Sequence, residues 1–120
     1  MTNFKYIKYY IKNACFKIKC FFQRGFKGYS EADVNDIKHW FFRTVPNILE
    51  DLSDNLISYP DRFEYAGEWQ DELRRMAYIG RRSNWKYCYD HNLDYSHIKL
   101  NKNREIFLEW FVKNFEDFWN

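Results

Sequence analysis

Apolar residues at the start of the chain recur at three-and-four spacing. Phe4, Ile7, Ile11, Ala14, Cys15, Ile18, Phe21 and Phe22 fall on one stripe when the chain is turned by about 100° per residue. The spacing predicts an amphipathic helix over 4–24, with Lys5, Lys8, Lys12 and Lys19 as a basic ridge beside the stripe. Gly25 is expected to stop it, and Gly25-Phe26-Lys27-Gly28 reads as a turn. Ser30 is a good N-cap for the next helix, with Glu31 and Asp33 in the first turn where the helix dipole favours negative charge. The following stripe, Val34, Ile37, Phe41, Val45, Ile48, Leu49, Leu52 and Leu56, keeps one phase through Pro46. This predicts a single helix kinked at the proline, whose ring removes a backbone hydrogen bond and crowds the preceding turn.

A loop over 58–66 separates that helix from a third over 67–87, with Trp69, Leu73, Met76, Gly80 and Tyr87 facing inward. Glycine costs a helix about 1 kcal/mol relative to alanine, so Gly80 on the buried stripe implies that another helix passes very close. Residues 90–101 are polar and read as a long loop. The last helix, over 103–119, is apolar around more than half its circumference through Phe107, Trp110, Phe111, Phe115, Phe118 and Trp119. Such a helix is either central or shared with a second subunit. The expected architecture is all-α: one domain over 1–120, a bundle of about four helices, made of the basic helix 4–24 and a helical core over 30–120.

Composition agrees with helices over strands. Four Gly and two Pro in 120 residues are too few turn formers for a many-stranded sandwich or barrel, and 22% aromatic residues favour few, thick contacts. Charge adds an asymmetry that the net value of +2 hides. Residues 1–28 hold seven basic and no acidic side chains, leaving 12 basic against 17 acidic in 29–120, so the two segments carry +7 and −5. Either the first helix docks on the acidic remainder or it meets an anionic partner. Packing into the single core is the simpler outcome for its stripe; an acid-free helix of this pattern also suits a membrane interface or a groove on a partner protein. No apolar run approaches the roughly 20 residues of a membrane span, so an integral membrane protein is not expected. Cys15, Cys20 and Cys88 are odd in number and lack close pairing, which reads as free thiols.

The most suggestive binding surface lies on the third helix. Arg74, Tyr78, Arg81 and Trp85 stand at i, i+4, i+7 and i+11, with Arg75 and Arg82 on the flank. Guanidinium forks grip phosphate oxygens and aromatic faces stack on bases, so a nucleotide or single-stranded nucleic acid suits such a ridge. The competing expectation is that Asp71, Glu72 and the acidic second helix pair with these arginines while Tyr78 and Trp85 complete the core. Asp90, His91, Asp94 and His97, with Cys88 nearby, match no zinc or calcium spacing, and neither metal nor cofactor is expected. His39 reads as a helix-surface side chain. Glycine-rich phosphate loops and the G-x-S-x-G elbow are absent, which argues for a binder over an enzyme.

Phe21-Phe22-Gln23-Arg24-Gly25, then Gly28-Tyr29-Ser30, then Asp33, resembles the junction of a group of small bacteriophage proteins in which a basic N-terminal helix meets an RG-x-x-GYS-x-x-D segment. Pro60, Glu68-Trp69 with Leu73 and Met76, and the aromatic tail Phe111, Phe115, Phe118 and Trp119 follow in the same order. Val34 stands where the group favours an aromatic, and Gly80 where it favours a bulkier residue. The resemblance implies a phage origin and the host bacterial cytoplasm, and transfers no site residues. It leads to the expectation of a phage-encoded binding protein acting on a host protein, in particular an inhibitor of an antiphage defence system. The alternatives are an oligomer, formed through the C-terminal aromatic helix, that sequesters a nucleotide second messenger, and a nucleic-acid binder working through the Lys ridge.

Overall fold

A computed structural model describes residues 2–118, with side chains from Lys5 to Phe118. The side chains of Phe4 and Trp119, assigned above to apolar stripes, lie outside the described residues. All regular structure among these residues is helical: α1 (Thr2–Lys27), α2 (Glu31–Asn35), α3 (Ile37–Asp54), α4 (Ala66–Arg81), α5 (Trp85–Asp90) and α6 (His97–Lys113), then a 3-10 turn at Phe115–Asp117. Four of the helices are long and two are short. The chain divides into two compact units, Met1–Lys38 and His39–Asn120.

In the first unit, α1 runs through Gly25 and ends at Gly28. The reason is backbone conformation: Gly28 takes φ +83° and returns its N–H to the Arg24 carbonyl at 2.9 Å, the left-handed stop that glycine adopts without steric cost. Ser30 then caps α2 as the sequence predicts. Its hydroxyl accepts from the Asp33 N–H while the Asp33 carboxylate accepts from the Ser30 N–H at 2.8 Å, a complete capping box. Arg24 closes the unit by donating from Nε and Nη2 to the two Asp33 oxygens at 3.1 and 2.9 Å. The residues of the RG-x-x-GYS-x-x-D junction thus form a folding clamp, with Arg24, Gly28, Ser30 and Asp33 each doing structural work.

This clamp predicts an acid transition. The Arg24 guanidinium, followed by the Ser30 hydrogen bonds, holds the Asp33 carboxyl well below the usual carboxylate range despite its burial. A folded-state pKa below the unfolded one means that the unfolded chain binds the proton first, so the stabilisation is complete above about pH 5 and is lost as pH falls through and below about 4. Protection factors at the Asp33 and Val34 amides, each exchange rate taken against its intrinsic rate at the same pH, should fall over that window. In Asp33→Asn they should be low at neutral pH and change little with acid.

The second helix predicted from sequence is broken at Asp36, whose backbone (φ −145°, ψ 77°) is not helical. The buried face is also turned from the predicted stripe: Val34, Ile37 and Ile48 are exposed, and α3 buries Phe42, Pro46, Leu49 and Ser53. Helical conformation continues through Pro46. The core of the second unit gathers Phe42 and Leu49 of α3, Trp69, Leu73, Met76 and Ala77 of α4, and Phe107 of α6, with Phe41, Trp110, Phe111 and Phe118 packed around them. Gly80 is the hinge of this packing. A Cβ there would lie 2.7 Å from both Phe107 Cε2 and Pro46 Cγ, so α4 fits between α3 and α6 only because residue 80 has no side chain.

The third predicted helix also divides. Ser83 turns its hydroxyl back to the Ile79 carbonyl at 3.0 Å, and Asn84 caps α5 by accepting from the Lys86 N–H at 3.0 Å. The loop predicted over 90–101 is shorter than expected, because Ser96 caps α6 and Asp94 accepts from the Ser96 N–H at 2.9 Å. The loop before α4 is pinned by Arg62, which donates to Asp117 at 2.6 Å, lies 3.5 Å from Glu72 and sits over the Phe63 ring. Glu72 in turn accepts from Trp110 Nε1 at 2.7 Å.

Candidate functional site

Two surfaces emerge, one on each unit. On α1 the side turned towards α2 carries Cys20, which is buried, with Gln23 and Arg24, whose side chains bond Glu31 and Asp33. The opposite face is the apolar stripe, and it is open: Ile7, Ile11, Ile18 and Phe22 are 54%, 58%, 58% and 56% exposed, and Ala14, Cys15 and Phe21 are exposed with them. The stripe expected to enter a core therefore faces solvent. Lys5, Lys8 and Lys12 are exposed beside it, and Lys19 is 3.0 Å from Glu31 in a solvent-accessible ion pair. With α1 rising about 1.5 Å per residue, Ile7 to Phe22 spans about 22 Å, a length typical of a helix seated in a groove.

The ridge predicted on the third helix is not continuous, because α4 ends at Arg81 and Trp85 belongs to α5. Its cations have partners within the chain. Arg74 bonds Asp54 at 3.0 Å, and Arg81 bonds Glu50 closely and Asn47 at 3.1 Å. The acids that meet them are the end of α3, where the sequence offered Asp71 and Glu72 as well. Arg82 lies over the Tyr78 ring at 3.3 Å and donates to the Tyr78 carbonyl at 3.2 Å. Tyr78 and Trp85 are half exposed and complete no core; Arg75 is exposed.

What the sequence pattern did not reveal is a cavity of about 420 Å³ that collects Arg81 with residues of three helices: His39, Phe42, Arg43 and Asn47 from α3, and Lys86, Tyr87, Asp90 and His91 at α5 and its end, with Asn84 between. Arg43 and Asn47 stand four apart on α3, a spacing that gains meaning only once Arg81 of α4 and Lys86 of α5 are found to line the same cavity. Another cavity, of about 630 Å³, is lined by 58–62 and Asp117, and the cation among its described lining residues, Arg62, is already held by Glu72 and Asp117.

The loop cluster is occupied by turn chemistry. His91 Nδ1 lies 2.8 Å from the Tyr87 carbonyl and its ring stacks on Tyr87 at 4.0 Å, while Asp94 is spent on Ser96. Among the described residues no three His, Cys, Asp or Glu side chains converge as metal ligands would. Cys88 is buried with its Sγ 3.5 Å from the Arg82 carbonyl, and burial pushes its thiol pKa up, the reverse of what a nucleophile needs. Leu108 and Val112 are exposed four residues apart on α6, and Phe115 of the 3-10 turn that follows is exposed as well. No described helix is long and apolar enough to cross a membrane. Compared with protein-family models, curated proteins and solved structures, the chain matches none.

Proposed function

We propose that the chain is a non-catalytic binding protein whose working surface is the exposed face of α1, laid into an acid-rimmed apolar groove of a host protein. The junction resemblance supports a phage origin, and an antiphage defence component as the host protein. The observation that carries the reading is the open stripe of α1: a helix clamped at its C-terminal end, presenting Ile7 and Ile11 on one side of the small residues Ala14 and Cys15 and Ile18, Phe21 and Phe22 on the other, with lysines alongside. Apolar patches of this kind on a soluble surface are interaction sites far more often than accidents. The contour of large and small side chains suits a shaped groove more than a featureless bilayer, and the lysine flank selects an acidic rim and repels a second copy of itself.

Capture from bacterial lysate on the immobilised chain tests this. Ile11→Asp with Ile18→Asp should abolish capture, and Lys8→Glu with Lys12→Glu should weaken it at least about tenfold. Both pairs should leave thermal unfolding nearly unchanged, because these side chains are exposed; surface changes typically fall within about 0.5 kcal/mol. Capture that survives Ile11→Asp with Ile18→Asp would defeat the proposal. So would binding to anionic vesicles with no stripe-dependent protein partner.

A further inference from the structure

The cavity on the second unit, distinct from α1, has the chemistry of a small-anion site. We infer that it binds a phosphorylated ligand of mononucleotide size, with Arg43, Arg81 and Lys86 around the phosphoryl group and the Tyr87 ring against a flat heterocycle. Three cations from three successive helices line one concavity of about 420 Å³, within the roughly 300–1,000 Å³ range of small-molecule sites. Among the described lining residues the one carboxylate is Asp90. Glu50 bonds Arg81 from outside the lining, and Asp90 holds Lys86 only at 3.4 Å in an exposed pair four residues apart. Such pairs contribute little and exchange readily.

Arg81 retains capacity for a ligand. Its bonds to Glu50 and Asn47 both leave from Nη2, so Nε and Nη1 still hold donors for an incoming oxygen, and a guanidinium fork suits a phosphoryl group better than a single carboxylate oxygen. The neutral part of the lining supplies the rest. Phe42 and the stacked Tyr87–His91 pair give an aromatic wall, and Asn47 offers an amide for a ring edge. A bare phosphate would use only half of this lining.

Calorimetry on the full chain at low salt, with AMP and pyrophosphate as probes, tests the assignment. AMP should saturate one site per chain. Arg43→Gln and Lys86→Gln should each weaken it at least about fivefold, while Lys102→Gln, an exposed cation of α6 outside the cavity, should not. Tyr87→Ala should weaken AMP by a similar factor and leave pyrophosphate unaffected. Lys86 is exposed, so Lys86→Gln remains informative if another variant fails to fold. No saturation by either probe to millimolar concentration, or equal losses in Lys86→Gln and Lys102→Gln, would overturn the site. Equal responses of AMP and pyrophosphate to Tyr87→Ala would overturn the heterocycle.

Discussion

Phe107→Ala is expected to remove about 3–5 kcal/mol of unfolding free energy, a large share of the roughly 5–15 kcal/mol that a domain of this size holds. Phe107 is fully buried, and its ring centroid lies 5.9–6.1 Å from those of Phe41, Phe42, Trp110 and Phe111. Deleting it leaves a void walled by other rings, which cannot collapse easily because each is fixed by its own edge or stacking contacts. Urea unfolding followed by tryptophan fluorescence measures this, since Trp69 and Trp110 belong to the same cluster. A loss under about 1 kcal/mol would mean that α6 is not the centre of the second unit.

Gly80→Ala carries the second large effect, with a sign opposite to helix propensity. On an open helix the substitution would stabilise by about 1 kcal/mol. Here it should destabilise by about 1–3 kcal/mol, because the new methyl would meet Phe107 and Pro46 at 2.7 Å, and neither a buried phenyl nor a proline ring is the loose end of a flexible chain. In the Phe107→Ala background one of the two clashes is gone. The cost should then fall without vanishing, and strict additivity of the two changes would contradict the packing described.

These two residues also show how much of the fold the sequence displayed. Helical class, the Ser30 cap, the inward Trp69, Leu73 and Met76, and the close approach at Gly80 were all legible, since each is written in spacing or in one residue's backbone preference. The breaks were not. Asp36 interrupts a stripe that keeps its phase on paper, and the Ser83-Asn84 pair, a recognisable cap signal, was overridden by the apolar periodicity on either side. Gly25 and Gly28 stand three apart, and only backbone conformation tells the helical glycine from the one that stops α1.

The sites were harder to read than the fold. Arginines at helical spacing suggested one ridge, but the break after Arg81 separates Trp85 from it, and the acids of α3 reach Arg74 and Arg81 across the helix interface. The cavity around Arg81 draws on residues 39 and 91, which lie 52 positions apart and share no motif. By contrast, the stripe of α1 was visible in full; what its periodicity could not say is whether anything covers it.

Thiol labelling of the native chain answers that question most directly, because Cys15 sits on the α1 stripe while Cys20 and Cys88 are buried. With a chromogenic disulfide reagent at neutral pH, one thiol equivalent should react at the rate of an unfolded control and two should wait for unfolding. Protection of all three thiols would show the face of α1 to be covered, and the binding surface assigned to it would not exist.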